Sequence, residues 1–333
     1  MTTIDLTTDY LGLKLRSPIL VSSCPLTAEL DVLRRIEEIG AGAAVLPSLF
    51  EEQIANDSAP AAWQGFQGAS PHHFRELMDY NRGPHAYLRY IEQAKQAVRL
   101  PLIASLNGTS LGAWLATAKR IEQAGADALE LNLMLLSVDP QVSATEIEDH
   151  YVDIVGAVRA ETGLPLAVKI GPYFTALPHF VSRLVAAGAQ GIVIFNRYLQ
   201  PDMDVDNRKV VPRLELSSRS ELTLTLRWLG ILYGRVQAPL AASGGVQRGQ
   251  DVLKAIAAGA TVVEVASVLY RNGVQALADL HQDVERWMLA SNHPSVESLR
   301  GSLSQLRCSD PAAFARANYA RAISCFSDAV ASE

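Results

Sequence analysis

The sequence predicts an α/β chain folded as a single (β/α)8 barrel, and three observations carry that prediction. Short apolar runs alternate with helical stretches along most of the chain. The apolar runs number eight, and each helix between them connects strands that must run parallel. Four helices end on the same small-residue joint: Gly40-Ala41-Gly42, Gly125-Ala126-Asp127, Gly188-Ala189-Gln190 and Gly259-Ala260-Thr261. Glycine supplies the left-handed cap that ends a helix before a strand. A doubly wound sheet is the competing arrangement, but eight units in one direction favour closure.

The elements follow in order. Residues 1–17 read as a hairpin ahead of the barrel, with its turn in Asp9-Tyr10-Leu11-Gly12. The first strand is 18–23, PILVSS, followed by a helix over 28–39 and a second strand over 42–48. A polar and aromatic stretch from 49 to 84 is the signature of a long functional loop, with a short helix expected at 74–80. Helices at 85–98, 111–124, 146–161 and 174–187 then alternate with strands at 101–106, 127–132, 164–170 and 190–195. A Pro- and Asp-rich excursion over 196–216 precedes the helix 221–233, the strand 240–243, the helix 250–258 and the strand 261–266. A helix over 273–290 completes the barrel region 18–290, and 291–333 is expected to be a C-terminal helical extension of the same single domain, 1–333.

Bulk properties narrow the function. Of 333 residues, 49% are apolar and 19% charged, which favours a large core over disorder. A net charge of −6 argues against a nucleic-acid surface. No stretch is long and apolar enough to span a membrane, and the N-terminus lacks the basic and apolar regions of a signal peptide. Cys24, Cys308 and Cys325 are too far apart for a disulfide framework or a zinc site. A cytoplasmic, reduced protein is expected.

In a parallel barrel, chemistry sits at the C-terminal ends of the strands. After the seventh strand come Gly244 and Gly245, and after the eighth come Ala266 and Ser267. Residues without bulky side chains at those points let backbone N–H groups approach an anion, so together they form a phosphate cup. A tight turn alone would also explain the Gly-Gly pair. Other strand ends supply Ser22, Ser23 and Cys24, then Asn132, Lys169, Asn196 and Arg197. This set is rich in neutral hydrogen-bonding groups and shows no carboxylate pair, histidine or metal set. It suits a polar ring with a phosphate tail better than hydrolysis. Lys169 ends an apolar strand, LPLAVKI, where a buried ammonium needs an anionic partner. A flavin that becomes negative on reduction is one such partner; a loop carboxylate, or water beyond the rim, is another. Asn132 and Asn196 bind either a ligand or their own loops. Cys24 reads as a packed thiol, and His72-His73 as solvated loop residues.

These motifs resemble the dihydroorotate dehydrogenase family of FMN-dependent barrels over nearly the whole chain. The likeness rests on GADALELN, LPLAVKI, the strand ending at Asn196, and SGGVQRGQDVLKAIAAGATVVEVAS. It implies that Lys169 contacts the flavin and that Asn132 and Asn196 contact flavin or a pyrimidine. It further implies that Gly244, Gly245, Ala266 and Ser267 hold the flavin mononucleotide (FMN) phosphate, with Ser22 and Ser23 at the flavin and Ser217 and Ser218 beside the phosphate-side loop. A soluble homodimer is the matching expectation. The chain departs from the family pattern at three positions. Leu135 occupies the catalytic-base position, leaving Ser137 and Asp139 as the nearest alternatives; Pro47 stands where the second strand ends in a lysine; and Arg197 replaces a small hydroxyl residue. The expected function is FMN-dependent hydride transfer with a planar, dihydropyrimidine-like and anionic small molecule, its carboxylate or carbonyl held by Arg197. The alternatives are a phosphate-ester isomerase or aldolase using Lys169, and a non-catalytic FMN-binding barrel.

Overall fold

The structure is a computed structural model that describes residues 4–58, 83–112, 115–198, 200–314, 319, 320, 323 and 324. Most of the long loop, including His72-His73 and the expected helix at 74–80, lies outside the described residues.

Eight parallel strands close into a barrel, as the sequence predicts. They are β3 (Ile19–Val21), β4 (Ala44–Phe50), β5 (Leu102–Asn107), β6 (Ala128–Asn132), β7 (Leu166–Ile170), β8 (Gly191–Ile194), β11 (Leu240–Ser243) and β12 (Val262–Val265). Closure is made where β12 pairs with β3, Glu264 opposite Leu20. All four Gly-Ala joints behave as cap residues: Gly40, Gly125, Gly188 and Gly259 have φ of 115°, 94°, 118° and 131°.

Alternation along the strands divides the core in two. Outward side chains such as Leu129, Leu131, Val168 and Ile192 pack against the helices in one large cluster. Inward side chains at the base of the barrel, among them Leu20, Val45, Ile103 and Val193, form a second cluster with Tyr10, Leu11 and Leu15. Those last three belong to the N-terminal hairpin of β1 (Thr8–Tyr10) and β2 (Leu13–Leu15). Its turn places Leu11 and Gly12 at φ of 53° and 74°, the paired left-handed conformation of a tight hairpin. Small inward residues, Ala128, Ala167, Gly191 and Ala241, make room for this plug. A Cβ on Gly191 would lie 3.2 Å from the Tyr10 hydroxyl oxygen and 2.8 Å from a Leu11 methyl carbon.

Several elements differ from the sequence-based expectation. A helix, Glu51–Ser58, starts directly after β4, where a loop was expected. The excursion after β8 folds into a second hairpin, β9 (Asp202–Asp204) with β10 (Lys209–Val211). The helix expected over 273–290 is Ala276–Ala290, and an additional short helix, Ser267–Asn272, precedes it, the two separated by Gly273 at φ 76°. Pro47 sits within β4 at a register shift between Val45 and Ser48, because proline cannot donate to the ladder.

Candidate active site

The strand ends open into a mouth cavity of about 270 Å³ lined by residues from around the barrel. Ser22, Ser23, Asn132, Lys169, Asn196, Arg197, Gly244, Gly245, Ala266 and Ser267 all line it. Two of the residues expected here stand elsewhere. Ser218 is exposed, and its N–H donates to Glu221 Oε1 at 2.8 Å at the start of the helix Arg219–Leu232. Its neighbour Ser217, expected beside it, does line the cavity. Ser137 is exposed on the loop after β6, beside the exposed Leu136 and Val138.

Ser217 joins the two glycine- and serine-bearing strand ends. Its hydroxyl accepts from the Gly245 N–H at 3.0 Å and donates to Ser267 Oγ at 2.8 Å. Its carbonyl is braced by Arg271 at 2.8 Å and Gln247 at 3.0 Å. Gly244 and Gly245 adopt φ of 89° and 78°. A Cβ on Gly245 would lie 2.6 Å from the Leu222 backbone nitrogen, whereas one on Gly244 would meet nothing within 4 Å. Gly245 therefore packs the loop onto the helix, while Gly244 leaves bare backbone beside open space, the cradle a phosphate needs.

Beneath the mouth lies a charge cluster that the sequence reading overlooked. Lys169 Nζ is 2.6 Å from Glu264 Oε2, 3.4 Å from Glu130 Oε1 and 3.1 Å from Ser22 Oγ. Ser22 Oγ also donates to Glu264 Oε2 at 2.9 Å. The expectation that the strand-end set holds no carboxylate pair is thereby corrected, and the anionic partner of Lys169 comes from barrel strands, not from a loop. The period-two pattern carried the signal. In ALELN, Glu130 faces inward with Ala128 and Asn132, and in VVEV, Glu264 faces inward with Val262.

Burial governs the protonation of this cluster. Burial alone would favour a neutral amine, but attraction to Glu130 and Glu264 outweighs it and raises the Lys169 pKa. Burial, reinforced by repulsion from Glu264, pushes Glu130 up to about 8. Burial also opposes charge on Glu264, yet attraction to Lys169 and hydrogen bonds from Lys169 and Ser22 hold it low. At neutral pH the three groups sum to zero: a charged pair plus one carboxyl that keeps its proton. Tyr10 stands below; burial first, then Glu264 and Glu130, push its hydroxyl well above the ordinary value.

Around the rest of the mouth the polar groups are neutral. Serine hydroxyls link three strands, Ser23 to Ser48 at 3.2 Å and Ser48 to Ser105 at 2.8 Å; the bulge at Pro47 is what turns Ser48 inward. The Asn196 amide donates to Asn132 Oδ1. Arg197 is already engaged, its Nε 2.7 Å from Glu221 Oε2 and its Nη1 on the Glu215 carbonyl. Leu135 packs against the core through its side chain. Its backbone is pinned, the N–H donating to the Tyr151 hydroxyl at 2.7 Å and the carbonyl accepting from Tyr198 at 3.3 Å. Cys24 is buried, and burial raises its thiol pKa, as suits a packed, unreactive side chain.

Comparison with known proteins gives one family. The model of the family described as "Dihydroorotate dehydrogenase" matches residues 5–288. The catalytic subunit of dihydroorotate dehydrogenase B (NAD(+)) from Endomicrobium trichonymphae is 24% identical over 316 residues, covering 91% of this chain and 98% of the relative. The subunit of the same name from Methanothermobacter thermautotrophicus is 24% identical over 303 residues, 89% of this chain and 97% of the relative. Dihydroorotate dehydrogenase A (fumarate) from Lacticaseibacillus paracasei is 29% identical over 192 residues, 53% of this chain and 62% of the relative.

Proposed function

The chain belongs to the dihydroorotate dehydrogenase family, and from that premise we propose that it is an FMN-dependent oxidoreductase acting on a planar, dihydropyrimidine-like ring. The observation that carries this reading is the pairing, across one cavity, of the open cradle at Gly244 with the buried ammonium of Lys169. The residues present suit the cofactor. Bare backbone at Gly244 and Gly245, with the hydroxyls of Ser217 and Ser267, would hold its phosphate. Lys169, Ser22 and the Asn132–Asn196 amides would hold its ring edges.

When bound, FMN supplies a two-electron acceptor and donor of hydride. The chain's own part is to bind, orient and keep protons in place. Lys169 stays protonated because Glu264 stays ionised, so its positive charge is held at the cavity wall. Asn196 is oriented by its bond to Asn132 and, through its side-chain oxygen, by the Arg197 N–H at 2.9 Å. Leu135, at the family's base position, offers no proton acceptor.

The test is anaerobic. Protein reconstituted with FMN is mixed with 5,6-dihydropyrimidines, and bleaching of the flavin band is expected. Failure to bind FMN contradicts the assignment as a whole. Bound FMN that no dihydropyrimidine reduces points to the second reading, a barrel that keeps the flavin without this catalysis, which Leu135 favours. Schiff-base chemistry at Lys169 is disfavoured, because an amine kept protonated by the ionised Glu264 at 2.6 Å has no lone pair to attack a carbonyl.

A further inference from the structure

We infer that Glu130 and Glu264 together form a proton store behind Lys169, which takes up one proton from water when the flavin is reduced in mildly alkaline solution. This rests on the reading of the mouth as the FMN site and deepens it. Glu130 acts on the flavin through Lys169 and Glu264, as a positioning residue for charge.

Three ionisable side chains from three strands meet behind the mouth. Lys169 on β7 lies 2.6 Å from Glu264 on β12 and 3.4 Å from Glu130 on β6, and both carboxylate side chains are at most 2% exposed. One ammonium cannot neutralise two carboxylates, and a surplus buried charge is costly. The side chains of Glu130 and Glu264 are also hydrogen-bonded to each other. Two ionised carboxylates, being acceptors only, cannot make that bond, so one proton belongs to the pair. Glu264 is the ionised member, because Lys169 Nζ and Ser22 Oγ both donate to its Oε2. Glu130, farther from the ammonium, carries the proton.

The groups around the pair do not titrate with it. Tyr10 stands below, and Cys24 feels the charge of Lys169; burial raises both and keeps them neutral where the pair changes. The register partners of Glu130 on the flanking strands are Ser105 and Ala167.

The wall beside the ring therefore has two charge states. With the proton on Glu130 the cluster is neutral, and without it one negative charge is left over; burial and Glu264 set the change near pH 8. A hydride brings the ring two electrons and one proton and leaves it negative. Beside that charge a second negative charge is disfavoured, so Glu130 regains a proton from water. Below the change the proton is already in place, and reduction adds none. Either glutamate alone would stay ionised against Lys169 and store nothing, so the device needs both.

The experiment measures the midpoint potential of the FMN-reconstituted full chain from pH 7 to 9.5 by anaerobic dye-coupled titration, with free FMN as the baseline. One extra proton per two electrons changes the reduction equilibrium tenfold per pH unit, about 30 mV. The bound flavin is expected to parallel free FMN up to about pH 8 and to fall by that further tenfold per unit above it. Glu130→Gln and Glu264→Gln each leave one carboxylate beside Lys169 and are expected to parallel free FMN throughout; circular dichroism checks that they fold. Because the measurement compares slopes, a fixed charge elsewhere around the ring is common to all of them. A bound flavin that parallels free FMN over the whole range overturns the inference, and that comparison needs no variant. A steep limb that persists in both variants overturns it too, by assigning the proton elsewhere. Bound FMN without the steep limb leaves the cofactor reading standing, whereas protein that binds no FMN removes that reading and the proton store with it.

Discussion

Glu130 decides how this barrel responds to alkali. Its folded-state pKa is raised to about 8 by burial and by Glu264, while an unfolded glutamate loses its proton near 4.3. The folded state therefore holds a proton that the unfolded state gives up, and the associated stability is lost as pH rises through the interval to about 8. Urea unfolding followed across pH 5 to 9 is expected to show that decline, and Glu130→Gln to flatten it. Infrared spectroscopy of the unsubstituted protein should show one protonated buried carboxyl at pH 7. That band should vanish in Glu264→Gln as well as in Glu130→Gln, since a single carboxylate beside Lys169 ionises. Persistence of the band in either variant would show that the two glutamates do not share a site. Tyr10 provides a contrast. Its buried hydroxyl has no hydrogen-bond partner, so Tyr10→Phe should leave stability unchanged or slightly raised. Tyr10→Ala, which empties the plug, should cost about 3–5 kcal/mol by the same unfolding assay.

Two neighbouring glycines in the loop after β11 have separable roles. Gly245→Ala drives a Cβ into backbone 2.6 Å away at a left-handed φ, and a loss of about 1–3 kcal/mol in stability is expected. Gly244→Ala meets open space, so its stability loss should be smaller, about 1 kcal/mol, while the new methyl fills the cradle and weakens FMN at least tenfold. A variant pair in which both glycines affect FMN and stability alike would contradict that division. At the other end of the barrel, the helix Ala276–Ala290 is tied to the strand entrance by His281, whose Nε2 lies 2.7 Å from Ser17 Oγ. Burial pushes this imidazole down to about 4. The unfolded chain takes up a proton near 6.5 that the folded chain refuses, so stability falls as pH drops below that value. A loss of roughly 2 kcal/mol between pH 7 and pH 5 is expected from this group, and His281→Gln should remove it in urea unfolding at the two pH values.

At the scale of the whole molecule, closure was legible because each βα unit carries its own local signals. The Gly-Ala joints mark where helices stop, and they do so by a backbone conformation that glycine alone takes freely. Gly244 and Gly245 were legible as cavity residues for the same reason, since a glycine pair at a strand end marks bare backbone at the barrel mouth. Glu130 and Glu264 were harder to see. Each lies mid-strand in an apolar run, and only closure of the barrel brings Lys169 from a third strand between them. Of the expected pair Ser217 and Ser218 only Ser217 lines the cavity, because the excursion after β8 has no periodicity to tell which of the two faces inward. The pairing of Arg197 with Glu221 spans that same excursion, so the arginine looked free in the sequence. The central claim is that one side of this rim holds FMN with bare glycine backbone while a charge-balanced lysine faces it. Fluorescence quenching in a titration of FMN with the full chain tests it most directly. One equivalent bound, with at least tenfold loss in Gly244→Ala, is the predicted result; no quenching, or equal affinity in that variant, would contradict it.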